Sequence, residues 1–416
     1  MVQAIIAFGA LFTTTLILLT GNGLLGTLLS TRMALTGFST AVSGVVLACY
    51  FIGLLVGSLF CQGLIQRVGH IRAFTVFAAI TTAAALLHSL YIAAWFWALL
   101  RFASGITAFG LFMVIESWLN ECTDPYTRGR VFSIYMTLAY LGIGIGQQLL
   151  NVADIGGKDL FVIAGVLFAL CLIPVSTTSG VRPQLPETKP YYFMEIFRKS
   201  PLGMLGCMAA GLTNSAFYAM APVFCTRIGL PLNHLSLVMT TTVFTGLTAQ
   251  WTVGLLSDRL DRTMMLTVTA AAIAGFSLLV FLLGRTDFWI VIAEMGMLGV
   301  MMFAIYPVSV ARAHDIFGGQ QAVAVSAALL FAYSIGASLS PILASAVMTL
   351  LETPFGLFAF WAIVNAVFAG IALYLSKWEK IKIVPVEEQV AFVPMKSTTP
   401  VATALDPRTD PDTDTV

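Results

Sequence analysis

Charge is scarce in this chain. Of its 416 residues only 10% are charged, against roughly 25% in an ordinary soluble domain, which excludes a water-soluble globular fold. A net charge of +1 without a basic tract leaves no electrostatic footprint for DNA or RNA, so nucleic-acid binding is excluded too. Histidine is rare: His70, His88, His234 and His314 fall at loop-like positions without ligand spacing, and no metal site is expected. The six cysteines, at 49, 61, 122, 171, 207 and 225, form no CxxC pair and sit mostly in apolar runs, which reads as buried thiols. Walker, nucleophile-elbow and paired-histidine patterns are missing, which argues against an ATP-driven pump or an embedded hydrolase; neither enzyme activity nor a cofactor is expected. Gly142, Gly144 and Gly146 spell half of a dinucleotide fingerprint, but without a strand before them they suit close helix packing.

What is abundant is apolar length. Hydrophobic residues make up 58% of the chain, the first charge is Arg32, the next Arg67, and residues 73–100 carry none. Three runs therefore exceed the roughly 20 residues that one helix needs to cross a bilayer. Turn and charge clusters divide the rest in the same way and predict twelve spans, from 4–29 to 355–376. The start lacks a basic n-region and its apolar stretch outruns a signal peptide, so it reads as a retained first span.

The polar, proline-bearing stretch between the sixth and seventh spans suits a linker. The expected organisation is a six-helix bundle over 1–178, a linker over 179–200, a second six-helix bundle over 201–377 and a disordered tail over 378–416. The halves echo each other: "AYLGIGIGQQL" from Ala139 parallels "AYSIGASLSPI" from Ala332, Asn22 parallels Asn214, and Asp124 parallels Asp315, at shifts of 193, 192 and 191. The fold class is an all-α integral membrane protein with twelve transmembrane helices in two pseudo-symmetric bundles, a parallel repeat whose binding site belongs at the bundle interface. Lys and Arg in the short loops number fourteen on the side of the termini and four on the other, Arg32, Lys158, Arg227 and Arg285, which puts both termini and the linker in the cytoplasm.

"GLLSDRLDR", Gly254 to Arg262, resembles the cytoplasmic loop signature of the major facilitator superfamily, with Gly254, Asp258, Arg259 and Arg262 matching and Asp261 in place of the second glycine. The first-half copy, "QGLIQRVGHIR", keeps Arg67, Gly69 and Arg72 but has Gln66 for the usual aspartate and Gln62 for the first glycine. Leu100, Arg101 and Gly105 fit the family's L-R-x-x-x-G pattern. "RFASGITAFGLFMVIES", "RGRVFSIYMTLAYLGIGIGQ" and "YPVSVARAHD" together look like the YcaD-like branch of bacterial facilitators, whereas the fifth span lacks the proline of the drug/proton antiporters. The resemblance implies an inner-membrane secondary transporter working by alternating access. It also sets Asp258 against the start of the fifth helix, near Arg128 and Arg130, as a tie between the lobes.

The candidate residues follow from the cost of placing polar groups in lipid. Arg101 and Glu116 lie fifteen residues apart in one span, roughly 22 Å along the axis and about 60° around it, so they share a face without meeting. A charge facing lipid costs several kcal/mol, on insertion scales of about 2.5 to 3.5, so both are expected to face the interior. Arg101 suits an anionic solute group, a proton-binding carboxylate or a structural tie to helix-end carbonyls. Glu116, near the inner end, is expected to take a structural or gating role by reaching loop arginines such as Arg67 or Arg130. Glu294 falls 193 after Arg101 and takes the same level in the other lobe; there it either exchanges a proton modulated by Arg101 or snorkels to the outer interface. Asn22, Asn214, Tyr218, Gln147, Gln250, Tyr140 and Tyr333 are able to hydrogen-bond a solute or to tie helix to helix.

The expected function is proton-coupled movement of a small-molecule substrate across the bacterial inner membrane by a monomer, with export favoured by the resemblance. A uniporter needs no titrating carboxylate. A transport-inactive sensor or scaffold needs no ionisable cavity and would work through its tail.

Overall fold

The computed structural model describes residues 2–123, 127–176, 193–257, 259–317, 322–378 and Thr399. Asp124, Asp258, the side chain of Arg128, linker residues 179–192 and the expected tail apart from Thr399 lie outside the described residues.

Among the described residues the chain is helical throughout: α1 (Val2–Leu35), α2 (Thr40–Val68), α3 (His70–Leu87), α4 (Ala94–Cys122), α5 (Arg128–Gln148), α6 (Asp159–Leu170), α7 (Leu172–Ser176), α8 (Phe193–Lys199), α9 (Pro201–Arg227), α10 (Leu232–Ser257), α11 (Arg262–Leu283), α12 (Phe288–Met302), α13 (Ile305–Phe317), α14 (Ala322–Leu350) and α15 (Gly356–Trp378). α6 with α7, and α12 with α13, each make one interrupted span, so twelve spans alternate in direction, six before the linker and six after. The short α8 lies between the two sets. Ten spans are apolar enough to be recognised by length and hydropathy alone. The other two, α9 and α10, have the length, 27 and 26 residues, but are richer in small and hydroxyl-bearing residues. α9 is buried along most of its length, so its solvent is protein rather than lipid, and that relaxes the demand for apolar side chains.

Local chemistry sets the helix ends. Ser39 caps α2 by accepting from the Val42 N–H, and Asp287 caps α12 by accepting from Trp289 and Ile290. The loop signature differs between halves for a backbone reason. Gly69 stands at φ 87°, a left-handed conformation that favours glycine, whereas Asp261 stands at φ −61° and caps α11 through the Met264 N–H at 2.7 Å. The aspartate that breaks the family pattern is thus a better N-cap at a position that no longer needs glycine.

Glycine contacts repeat across the halves. A Cβ on Gly105 of α4 would lie 2.0 Å from the Tyr50 carbonyl oxygen of α2, and one on Gly299 of α12 would lie 2.3 Å from the Thr242 carbonyl oxygen of α10. The helices touch backbone to backbone at equivalent places in both bundles. The glycine run of α5 does the same work: Gly146 meets the Thr20 carbonyl of α1, while Gly144 faces Phe244 of the other bundle.

Candidate functional site

α1 begins and α15 ends at one end of the bundle, the terminal end; at the opposite, far end the two lobes are joined. There Gln148 donates to the Thr240 hydroxyl at 2.7 Å and to the Ser236 carbonyl at 3.1 Å, and Asn151 donates to the Ser236 hydroxyl at 2.8 Å. Arg227 donates to the Phe38 carbonyl at 2.8 Å. Gly44 of α2 sits so close to Ser345 and Pro341 of α14 that a Cβ would clash with both.

Inward from this seal lies a cavity of about 130 Å³ between the lobes. Its wall comes from α1, α2, α4 and α5 on one side and from α9 and α14 on the other. Five of the nine expected cavity residues line it: Asn22, Arg101, Gln147, Tyr218 and Tyr333. Among the described residues Arg101 is its sole Asp, Glu, Lys, Arg or His. The close approach of α2 to α4 at Gly105 places the Arg101 guanidinium carbon 4.3 Å from the centre of the Tyr50 ring. The Tyr50 hydroxyl in turn meets the Asn22 amide at 3.1 Å. Three helices therefore fix one cation. Tyr50, Phe51, Phe109 and Phe112 were not singled out from the sequence; only the helix register around Gly53 and Gly105 turns them toward Arg101.

The other four lie elsewhere. Tyr140 and Gln250 are buried and bond to each other, Gln250 donating to the Tyr140 hydroxyl at 2.6 Å, so they tie α5 to α10 instead of facing the cavity. Asn214 is buried in α9 but not in the cavity wall. Glu294 is buried in α12 and absent from the wall, so the expected chamber shared by Arg101 and Glu294 is not formed. The reason is packing. Phe303, in the break between α12 and α13, packs edge-on against Tyr140 and Phe217 and at a tilt against Tyr218, so aromatic rings occupy the space between α5, α9 and the break.

The gating residues also part company. Glu116 is fully buried, but the Tyr135 hydroxyl donates to its Oε1 at 2.8 Å and the Thr399 hydroxyl to its Oε2. The expected pairing with Arg67 or Arg130 is not made: both are exposed, where water solvates a guanidinium better than a distant carboxylate does. Arg72 and Arg259 are exposed as well. Arg262 is buried and bonds within its own lobe, to Asp315 at 2.5 Å and to the Ser257 hydroxyl at 3.1 Å. The expected partnership of Asp258 with Arg128 and Arg130 lies outside the described residues. His88 is buried in the turn after α3 and His314 is buried within α13, and among the described residues no group of His, Cys, Asp and Glu has the arrangement of a metal site.

Two pseudo-symmetric six-helix lobes around a polar-and-aromatic cavity define a membrane transporter of the two-lobed kind. The profile of the Major Facilitator Superfamily matches residues 11–341 and 204–405, and the chain belongs to that family. It is 29% identical to the uncharacterized MFS-type transporter YcaD of Salmonella arizonae over 78% of this chain and 85% of that one. The Salmonella typhimurium YcaD is 29% identical over 80% of this chain and 86% of its own. Among solved structures, the nucleoside transporter NupG superposes with a TM-score of 0.71 at 15% identity, covering 90% of this chain and 98% of that one. A bacterial homologue of the lysosomal transporter Spinster, in an inward-facing and occupied conformation, gives 0.71 at 14%, covering 92% and 97%. At such identities the likeness is one of fold.

Proposed function

We propose that this chain is a secondary transporter of a bacterial inner membrane that carries a small solute through the cavity by alternating access. The observation that carries the reading is a cavity walled by both lobes behind a polar seal at the far end. A solute held by both lobes favours their closure around it, and rocking then moves the seal from one end to the other. The excess of Lys and Arg at the terminal end supports a cytoplasmic position for both termini, which makes the sealed end the external one.

The test needs no known substrate. With Cys49 and Cys122 replaced by serine, spin labels at Leu35→Cys and Leu351→Cys report the separation of the lobes at the far end. Two exchanging distances are expected in lipid; a single fixed distance under all conditions overturns alternating access.

Proton coupling and export belong to the same proposal. Glu294 is its proton site because Oε2 is buried and has no hydrogen-bond partner among the described residues. Glu294→Gln then abolishes pH-driven conformational exchange while labelled lobes still move with solute; unchanged pH dependence removes proton coupling and leaves a uniporter.

A further inference from the structure

The cavity holds a cation without a counter-ion. Arg101 is 5% exposed, and no carboxylate of the described residues shares the cavity with it. Its guanidinium has five N–H donors, and among the described residues none of them meets a hydrogen-bond acceptor; Nε is buried with no partner. The Tyr50 ring lies against it, the guanidinium carbon 4.3 Å from the ring centre, and a ring gives a guanidinium no carboxylate-like acceptor for its N–H donors. A buried charge left unpaired is strongly destabilising, so a fold that fixes one with three helices has a reason outside its own packing.

We propose that the solute is a small organic monoanion, a carboxylate or similar planar oxyanion on an apolar body, whose head docks on Arg101. This deepens the transporter reading and rests on it. The head is an anion because the guanidinium edge presents two parallel donors that match a carboxylate. It carries one charge because the wall offers one cation. The body is largely apolar because Phe51, Leu54, Phe109, Phe112 and Leu330 line the same cavity, beside the uncharged polar Thr27, Gln147 and Ser334. Size sets the rest: the cavity of about 130 Å³ compares with an engineered cavity of about 150 Å³ that holds benzene, so the body is of single-ring dimensions. Gln147, whose Oε1 is buried and accepts nothing among the described residues, adds a place for one further polar substituent. Among the described residues an organic cation meets no opposite charge here, and a polyanion keeps a second charge without a partner.

The experiment uses the purified full chain in lipid nanodiscs and four single-ring probes: benzoate, benzamide, benzylammonium and the larger dianion phthalate. Isothermal titration and thermal shift are expected to show benzoate binding at least about tenfold tighter than the other three. Arg101→Gln abolishes that preference, and Arg101→Lys restores part of it through charge without the planar fork. Equal binding of benzamide or benzylammonium, no binding of any monoanion, or benzoate binding unchanged in Arg101→Gln each overturns the proposal. The probe series on the unaltered chain decides the matter even if a variant fails to fold. The spin-label pair separates the two readings: lobes that exchange without an anion effect sink the solute class alone, whereas anion binding to lobes that never exchange sinks the transporter alone.

Discussion

At the scale of single residues, burial decides what each polar group does. His88 is fully buried between Trp97 and Phe161 rings, its Nδ1 on the Ala84 carbonyl at 2.6 Å and its Nε2 without a partner. It lies just beyond the third span, and burial, reinforced by Arg101, pushes its pKa down to about 3. A folded pKa below the unfolded value of about 6.5 means that the unfolded chain takes up the proton first. The stability His88 contributes is present above pH 6.5 and is lost as pH falls toward 3. His88→Phe, which suits the aromatic box, is expected to flatten that slope in melting curves recorded between these values; an unaltered slope places the acid sensitivity elsewhere. Glu116 is the second case. Tyr135→Phe removes a hydrogen bond from a fully buried carboxyl and is expected to cost about 1 to 3 kcal/mol, read as a lowered thermal midpoint in detergent.

Elements meet where side chains are smallest. Gly105 and Gly299 let α4 approach α2 and α12 approach α10 with carbonyl oxygens where a methyl group would otherwise sit. Gly105→Ala and Gly299→Ala are each expected to destabilise by about 1 to 3 kcal/mol through overpacking. Their consequences differ. Gly105→Ala also shifts Tyr50 relative to Arg101, so it should weaken benzoate binding, while Gly299→Ala, remote from the cation, should lower only the melting midpoint. If both variants bind alike, the α2–α4 contact does not orient the cation. The interrupted tenth span shows the converse: Phe303 sits in the break between α12 and α13, and its ring packs against Tyr140, Phe217 and Tyr218.

On the scale of the whole molecule, the two lobes are held by polar contacts at one end and separated by a cavity behind them. Asn151 and Ser236 belong to different lobes and touch at 2.8 Å, so Asn151→Cys with Ser236→Cys should crosslink under mild oxidation. The crosslinked protein is expected to show one far-end distance in place of two, and reduction should restore exchange. A crosslink that leaves both distances in place removes this contact from the seal. Thr399, brought against the buried Glu116, ties a residue far along the chain to the first lobe.

The amino-acid order alone carried the membrane class, the twelve spans and the duplication, because lipid tolerates so few charges that apolar runs and their spacing leave no other architecture. It also placed Arg101 in the interior, since one isolated guanidinium in a span has nowhere else to go. What tertiary structure decided was the company each group keeps. Arg101 and Glu294 occupy matching levels in the repeat, yet matching levels do not fix which way a helix is turned, and an aromatic cluster in one lobe has no counterpart rule in the sequence pattern. Rotation about a helix axis and the filling of space by Phe303 are packing outcomes among distant residues, and they left the cation in the cavity and the carboxyl outside its wall.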